Sequence, residues 1–194
     1  MKFIYLHGFA SSPNSAKAAD FRDRFAAFGI SLEVLDLNQG DFSHLTLTRQ
    51  MHQVKDAFPQ PEIPVTLVGS SLGGLTSAWL GQQHFQVQRL VLLAPAFGFL
   101  AHWLPQLGEE KLQQWQVSGY FPVYHYGEGR SLPLHYKFVE DARQYQETQL
   151  LLRPVPTLIL HGRQDEVIPI TASRDYASRR PWVQLIELDS DHAL

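Results

Sequence analysis

The stretch VGSSLGG, Val68 to Gly74, decides the reading of this chain because it changes character halfway along. Upstream lies the apolar run Val65 to Val68, which reads as a buried strand; downstream Leu72, Leu75, Trp79 and Leu80 recur at helical spacing. Between the two is a sharp turn with the pattern GxSxG centred on Ser71. Such a turn lifts the central serine above a sheet, and Gly69 and Gly73 supply the room, since side chains there would collide with neighbouring backbone. The turn also sets Ser71 at a helix N-terminus, where unpaired N–H groups and the dipole favour developing negative charge.

Outward from this turn the same alternation repeats. Short apolar runs occur at Phe3 to Leu6, Leu32 to Leu35, Leu90 to Leu93, Thr157 to Leu160 and Val183 to Leu188, giving six buried strands in all. Ala18, Phe21, Phe25 and Phe28 before Gly29, and Leu47, Met51, Val54 and Phe58, carry the helical period between them. Strand followed by helix implies an α/β domain: a six-stranded, mostly or wholly parallel sheet with helices on both faces, for which we expect the order 2-1-3-4-5-6. The rhythm breaks between Ala94 and Pro154, too long for a plain crossover. Leu100 to Leu107 and Glu109 to Trp115 read as short helices, and Val123 to Tyr126 and Leu132 to Phe138 flank GEGR (Gly127 to Arg130) like a hairpin. We expect one domain, 1–194, with a lid inserted at about 95–153, and a helix near Thr171 to Arg179 before the last strand.

Composition narrows the function classes. With 16 basic and 19 acidic residues and no run of Lys or Arg, the chain lacks the phosphate-tracking stripe of a nucleic-acid binder. It has no cysteine, so a thiol nucleophile and thiolate metal sites are excluded. The apolar run in MKFIYLHGF is too short for a signal-peptide core, and no stretch approaches the roughly 20 apolar residues of a membrane span, which makes a cytoplasmic protein the expectation. Nine histidines invite a metal, but there is no HExxH, and His44, His52, His84 and His102 are scattered. GEGR and GSSLGG both lack the Lys and Ser or Thr of a phosphate loop. No metal and no cofactor is expected.

A serine hydroxyl needs a base at neutral pH, and the base needs a partner to hold its tautomer. In α/β-hydrolases these follow the serine in the order acid, then histidine. After the strand at Thr157 to Leu160 comes HGRQDEVIP with Asp165; after the last strand comes DSDHAL with His192. All three candidates leave the sheet at the C-terminal edge, where ligand sites of α/β sheets form. Glu166 adjoins Asp165 but reads as a solvated loop residue, and Asp189 and Asp191 are too near His192 in sequence to reach its far ring nitrogen. An oxyanion requires two backbone donors, here Leu72 after the serine and Phe9 in HGFASSP after the first strand. Gly8 lets that loop pass close to Ser71, and His7 braces it.

YLHGFASSPNSAKA (Tyr5 to Ala18), VGSSLGG, and the closing stretch from DEVIP to DSDHAL resemble the YqiA-like group of small bacterial esterases. The resemblance covers both ends of the chain well and the middle poorly. It implies a compact α/β-hydrolase acting on small-molecule acyl esters or thioesters, with Ser71, Asp165 and His192 as the triad. The family continues into a final helix, whereas this chain stops two residues after His192. Phe97, Phe99, Leu100 and Trp103, just after the fourth strand, are the expected substrate-binding residues, favouring butyryl to octanoyl esters over acetyl. The same triad is compatible with amide or carbon–carbon cleavage, and the same scaffold with a non-catalytic binding protein.

Overall fold

The computed structural model describes residues 1–146 and 148–194. β1 (Lys2–Leu6) pairs in parallel with β2 (Leu32–Leu35) on one side and β3 (Val65–Ser70) on the other. Between them run α1 (Ala16–Ala27) and α2 (Leu47–Asp56), whose first turns are capped by the hydroxyls of Ser15 and Thr46, accepting from the N–H groups of Ala18 and Arg49. α2 buries Leu47, Met51 and Val54, one helical stripe, against the core. In α1 the stripe ends at Phe25: Phe28 already lies beyond the last turn and is 82% exposed, unlike the expectation.

β3 is buried at every position, and α3 (Leu72–Gln83) leaves it directly. β4 (Val87–Leu93) follows, again parallel to β3. The chain then runs through α4 (Phe99–Leu107), α5 (Glu109–Ser118), the antiparallel pair β5 (Tyr120–His125) and β6 (Arg130–His135), and α6 (Lys137–Ala142). β7 (Thr157–Gly162), α7 (Ile170–Ser178) and β8 (Val183–Leu188) complete the domain. The sheet order is β2-β1-β3-β4-β7-β8, the order expected, and every pairing is parallel, as the alternation of runs implies.

The segment between β4 and β7 packs as a second layer over α3. Trp115 is fully buried with its indole N–H donating to the Leu134 carbonyl (2.8 Å). Trp79 of α3 donates to Tyr145 O (2.9 Å), and Asp141 accepts from the Thr48 N–H at the start of α2 (3.0 Å). α3 therefore has the sheet on one side and this segment on the other, which is why Leu72 through Gly81 are all buried. The guanidinium of Arg153 binds the carbonyls of Gly81, His84 and Phe85, satisfying and neutralising the C-terminal end of α3. The hairpin departs from expectation: β6 starts at Arg130 itself and stops at His135, because Phe138, Val139 and Ala142 form the buried face of a helix rather than a strand. Among the described residues no helix is long and apolar enough to cross a membrane.

Candidate active site

Ser71 is the hinge between β3 and α3. Its N–H still extends the ladder to Leu93 O (2.8 Å), while its carbonyl accepts from Gly74 (2.9 Å), Leu75 (3.1 Å) and Ala96 (3.0 Å). To do both, its backbone adopts φ 51°, ψ −115°, a conformation L-residues avoid. The flanking glycines explain how so tight a turn closes: a Cβ on Gly69 would strike the Gly73 carbonyl and the Ser77 hydroxyl, and one on Gly73 would strike the carbonyls of Leu6 and His7. The neighbouring Ser70 faces elsewhere, its hydroxyl 3.4 Å from the Lys17 ammonium; the phenol of Tyr5 is pushed up to about 12 by burial, with Ser70 acting against it.

The loop after β1 runs beside this turn, with Gly8 against the Ser71 Cβ. His7 holds it. Its Nε2 accepts the Leu37 N–H (3.0 Å), so Nδ1 carries the hydrogen and donates to Gly8 O (2.9 Å). Burial lowers the His7 pKa, the Gly8 bond and the Asp36 charge opposing it only in part, so the ring is a neutral brace, the role expected of it. Among the described residues no acceptor takes the N–H of Phe9 or of Leu72, leaving two donors free beside Ser71.

Asp165 follows β7 and is 9% exposed. Its Oδ1 accepts from the N–H groups of Val167 (2.9 Å) and Ile168 (2.8 Å); its Oδ2 accepts from His192 Nδ1 (2.7 Å). Burial pushes the carboxyl up, but hydrogen bonds from His161, His192 and Ile168, with the charge on His192, outweigh it and hold the group well below the usual carboxylate range. A His192 that donates from Nδ1 presents Nε2 as its acceptor. The rival acids are occupied otherwise: Glu166 is exposed, Asp189 accepts from Gln164 (2.6 Å) and Asp191 from the Ala193 N–H (2.8 Å). Among the described residues the Ser71 hydroxyl has no hydrogen-bond partner; such bonds are commonly long before substrate arrives.

Two residues that periodicity did not single out complete the setting. Lys17 Nζ lies 3.5 Å from the His192 carbonyl as well as 3.4 Å from Ser70, tying the histidine loop to the serine turn. Burial lowers its pKa, and the carboxylates of Asp165 and Asp191 act against that. His161 stands four residues before Asp165 at the end of β7, fully buried, its Nε2 3.2 Å from Asp165 Oδ2. A histidine on a buried strand end next to a candidate acid is the signal that could have marked it.

The expected substrate-binding residues are spent on packing. Phe97 (2% exposed) stacks on Tyr176, and Phe99 and Leu100 (7% and 4%) belong to the core. Phe99 stacks on Trp103, and both meet the ring of Phe9. Of these, Trp103 and Phe9 keep partly exposed faces, and the rings of Phe99 and Trp103 hold the loop after β1 through Phe9. A cavity of about 790 Å³ lies between that loop, Asp36 to Asp41 and the β5–β6 turn. A second, about 550 Å³, separates α4 from α7. Ser71, Asp165 and His192 line neither.

The model of the uncharacterised protein family UPF0227 matches residues 2–194. No curated protein matches the sequence. Among solved structures, a candidate hydrolase from Agrobacterium vitis S4 is 26% identical, covering 99% of this chain and 80% of its own, with a TM-score of 0.80. Mouse alpha/beta hydrolase domain-containing protein 10 is 24% identical over 99% of this chain and 82% of its own, TM-score 0.79. A monoacylglycerol lipase from Paleococcus ferrophilus is 15% identical over 98% and 85%, TM-score 0.78. The fold is that of the α/β-hydrolases.

Proposed function

The chain belongs to the UPF0227 family, the YqiA-like group, and from that premise we propose that it is a serine hydrolase cleaving carboxylic esters or thioesters through an acyl-enzyme on Ser71. The observation that carries this reading is the 2.7 Å bond from His192 Nδ1 to a buried, ionised Asp165, at the same sheet edge as a serine on a strained turn. The hydrolases among its structural neighbours, a monoacylglycerol lipase included, support the reaction class.

In this mechanism His192 Nε2 takes the Ser71 proton as Oγ bonds to the acyl carbon. The oxyanion that forms is held by the N–H groups of Phe9 and Leu72, with the α3 N-terminus behind them. Asp165 stabilises the imidazolium without taking its proton. His192 then protonates the leaving alkoxide or thiolate as its bond to the acyl carbon breaks. A water, deprotonated by His192, attacks the acyl-enzyme and releases the carboxylic acid and Ser71. Segment 95–153 serves as the lid, and its Trp103 packs, partly exposed, on the ring of Phe9.

Labelling with a fluorophosphonate tests the proposal, since the reagent requires an activated serine. The expected result is one phosphonylated residue, Ser71, located by peptide mass spectrometry; an unlabelled native protein would overturn it.

A further inference from the structure

Asp165 is held from behind as well as from the front. His161 is fully buried, with its Nδ1 2.7 Å from the Ser173 hydroxyl of α7. Its Nε2 lies 3.0 Å from the Ile168 carbonyl and 3.2 Å from Asp165 Oδ2. A carbonyl and a carboxylate both only accept, so Nε2 carries the hydrogen, and Ser173 donates to Nδ1. The Ile168 peptide that receives the His161 N–H gives its own N–H to Asp165 Oδ1 (2.8 Å). One imidazole therefore fixes both the carboxylate and the loop that cradles it.

We propose that His161, oriented by Ser173, is a positioning residue that sets the rotamer of Asp165 and through it the angle at which His192 faces Ser71. The inference rests on the hydrolase reading for its effect on rate, though not for its effect on the His192–Asp165 bond. Removing the ring takes one of the two donors from Asp165 Oδ2 and leaves the Ile168 carbonyl without its partner, so the carboxylate keeps only its bonds from Val167, Ile168 and His192 and is held less rigidly. Small misplacements of a catalytic group cost up to about a hundredfold in rate without loss of substrate binding.

The test compares two amides. In His161→Gln the side-chain nitrogen reaches the place of Nε2 and can donate to Asp165; in His161→Asn the amide reaches only the place of Nδ1. Expected are near-native kcat for His161→Gln, a kcat lower by about ten- to a hundredfold with unchanged KM for His161→Asn, and a milder fall for Ser173→Ala, which keeps the ring and so guards against misfolding. Proton NMR follows the far-downfield resonance of His192 Nδ1–H, which should persist in His161→Gln and vanish in His161→Asn. If His161→Asn keeps both its kcat and that resonance, the inference is wrong. If the native protein neither hydrolyses esters nor labels, yet His161→Asn still loses the resonance, the hydrolase reading fails while the positioning role stands.

Discussion

The rings of Phe9 and Trp103 meet edge to face with centroids 5.3 Å apart, so the residue whose N–H is the proposed oxyanion donor is fastened to α4 of the inserted segment. Trp103 also contacts Phe99, Trp115 and Phe138, which makes it the centre of an aromatic cluster rather than the wall of a groove.

Trp103→Ala should therefore lower kcat/KM for acetyl, butyryl and octanoyl p-nitrophenyl esters by a similar factor, on the order of ten to a hundred, through a loosened loop. The vacated volume should also cost about 3–5 kcal/mol of stability. A loss confined to the longer esters would instead place the acyl chain on Trp103.

Ser71→Ala should abolish hydrolysis and labelling while changing stability by less than about 1 kcal/mol, since the side chain is small and unbonded. Ser70→Ala should still label at Ser71 and lose no more than the several-fold in rate that goes with the Lys17 tie, because that hydroxyl is turned toward Lys17. Labelling of the Ser71→Ala variant would move the nucleophile elsewhere.

With its pKa held below the ordinary carboxylate range, Asp165 stays ionised throughout the working range, so the rate should show no limb near pH 4. Asp165→Asn should reduce kcat about 10⁴-fold, and Glu166→Gln should be silent. The same depressed pKa gives a stability contribution present above about pH 4 and lost as pH falls further. Melting curves of native protein and Asp165→Asn should accordingly converge in acid; a gap that widened there would contradict the assignment.

Lys17→Met removes the link between the His192 carbonyl and Ser70, and should lower kcat several-fold with KM unchanged, while Lys17→Arg retains most of the rate. Steady-state kinetics on one ester decide it. An unchanged kcat in Lys17→Met would show that the histidine loop needs no such tie.

Much of this was legible in one dimension because apolar runs and turns are local: the six strands and the serine turn follow from spacing along the chain, while the order of the strands came with the expected fold. Asp165 was legible for the same reason, as the carboxylate in the loop leaving a strand end. What spacing does not reveal is the partner of a residue across the fold. Lys17 sits beside the apolar stripe of α1 and looks like an ordinary solvated lysine until the sheet brings His192 to it 175 residues later. Phe99 and Trp103 announced apolar area correctly, but what they cover, the ring of Phe9, is decided by how α4 lies over the loop after β1. The helix at Lys137–Ala142 was hidden by a β-like run, since burial of Phe138 and Val139 side by side is settled by their neighbours.

The φ of 51° at Ser71 sets durability against reactivity at a single position. A non-glycine residue held there stores on the order of 1–3 kcal/mol. Glycine would release that strain, and its greater freedom in the unfolded chain takes back only about 0.5–1 kcal/mol. Ser71→Gly should thus melt at a higher temperature than the native protein while being inert, so a screen for heat resistance alone would drift toward a sturdier molecule that had given up its nucleophile.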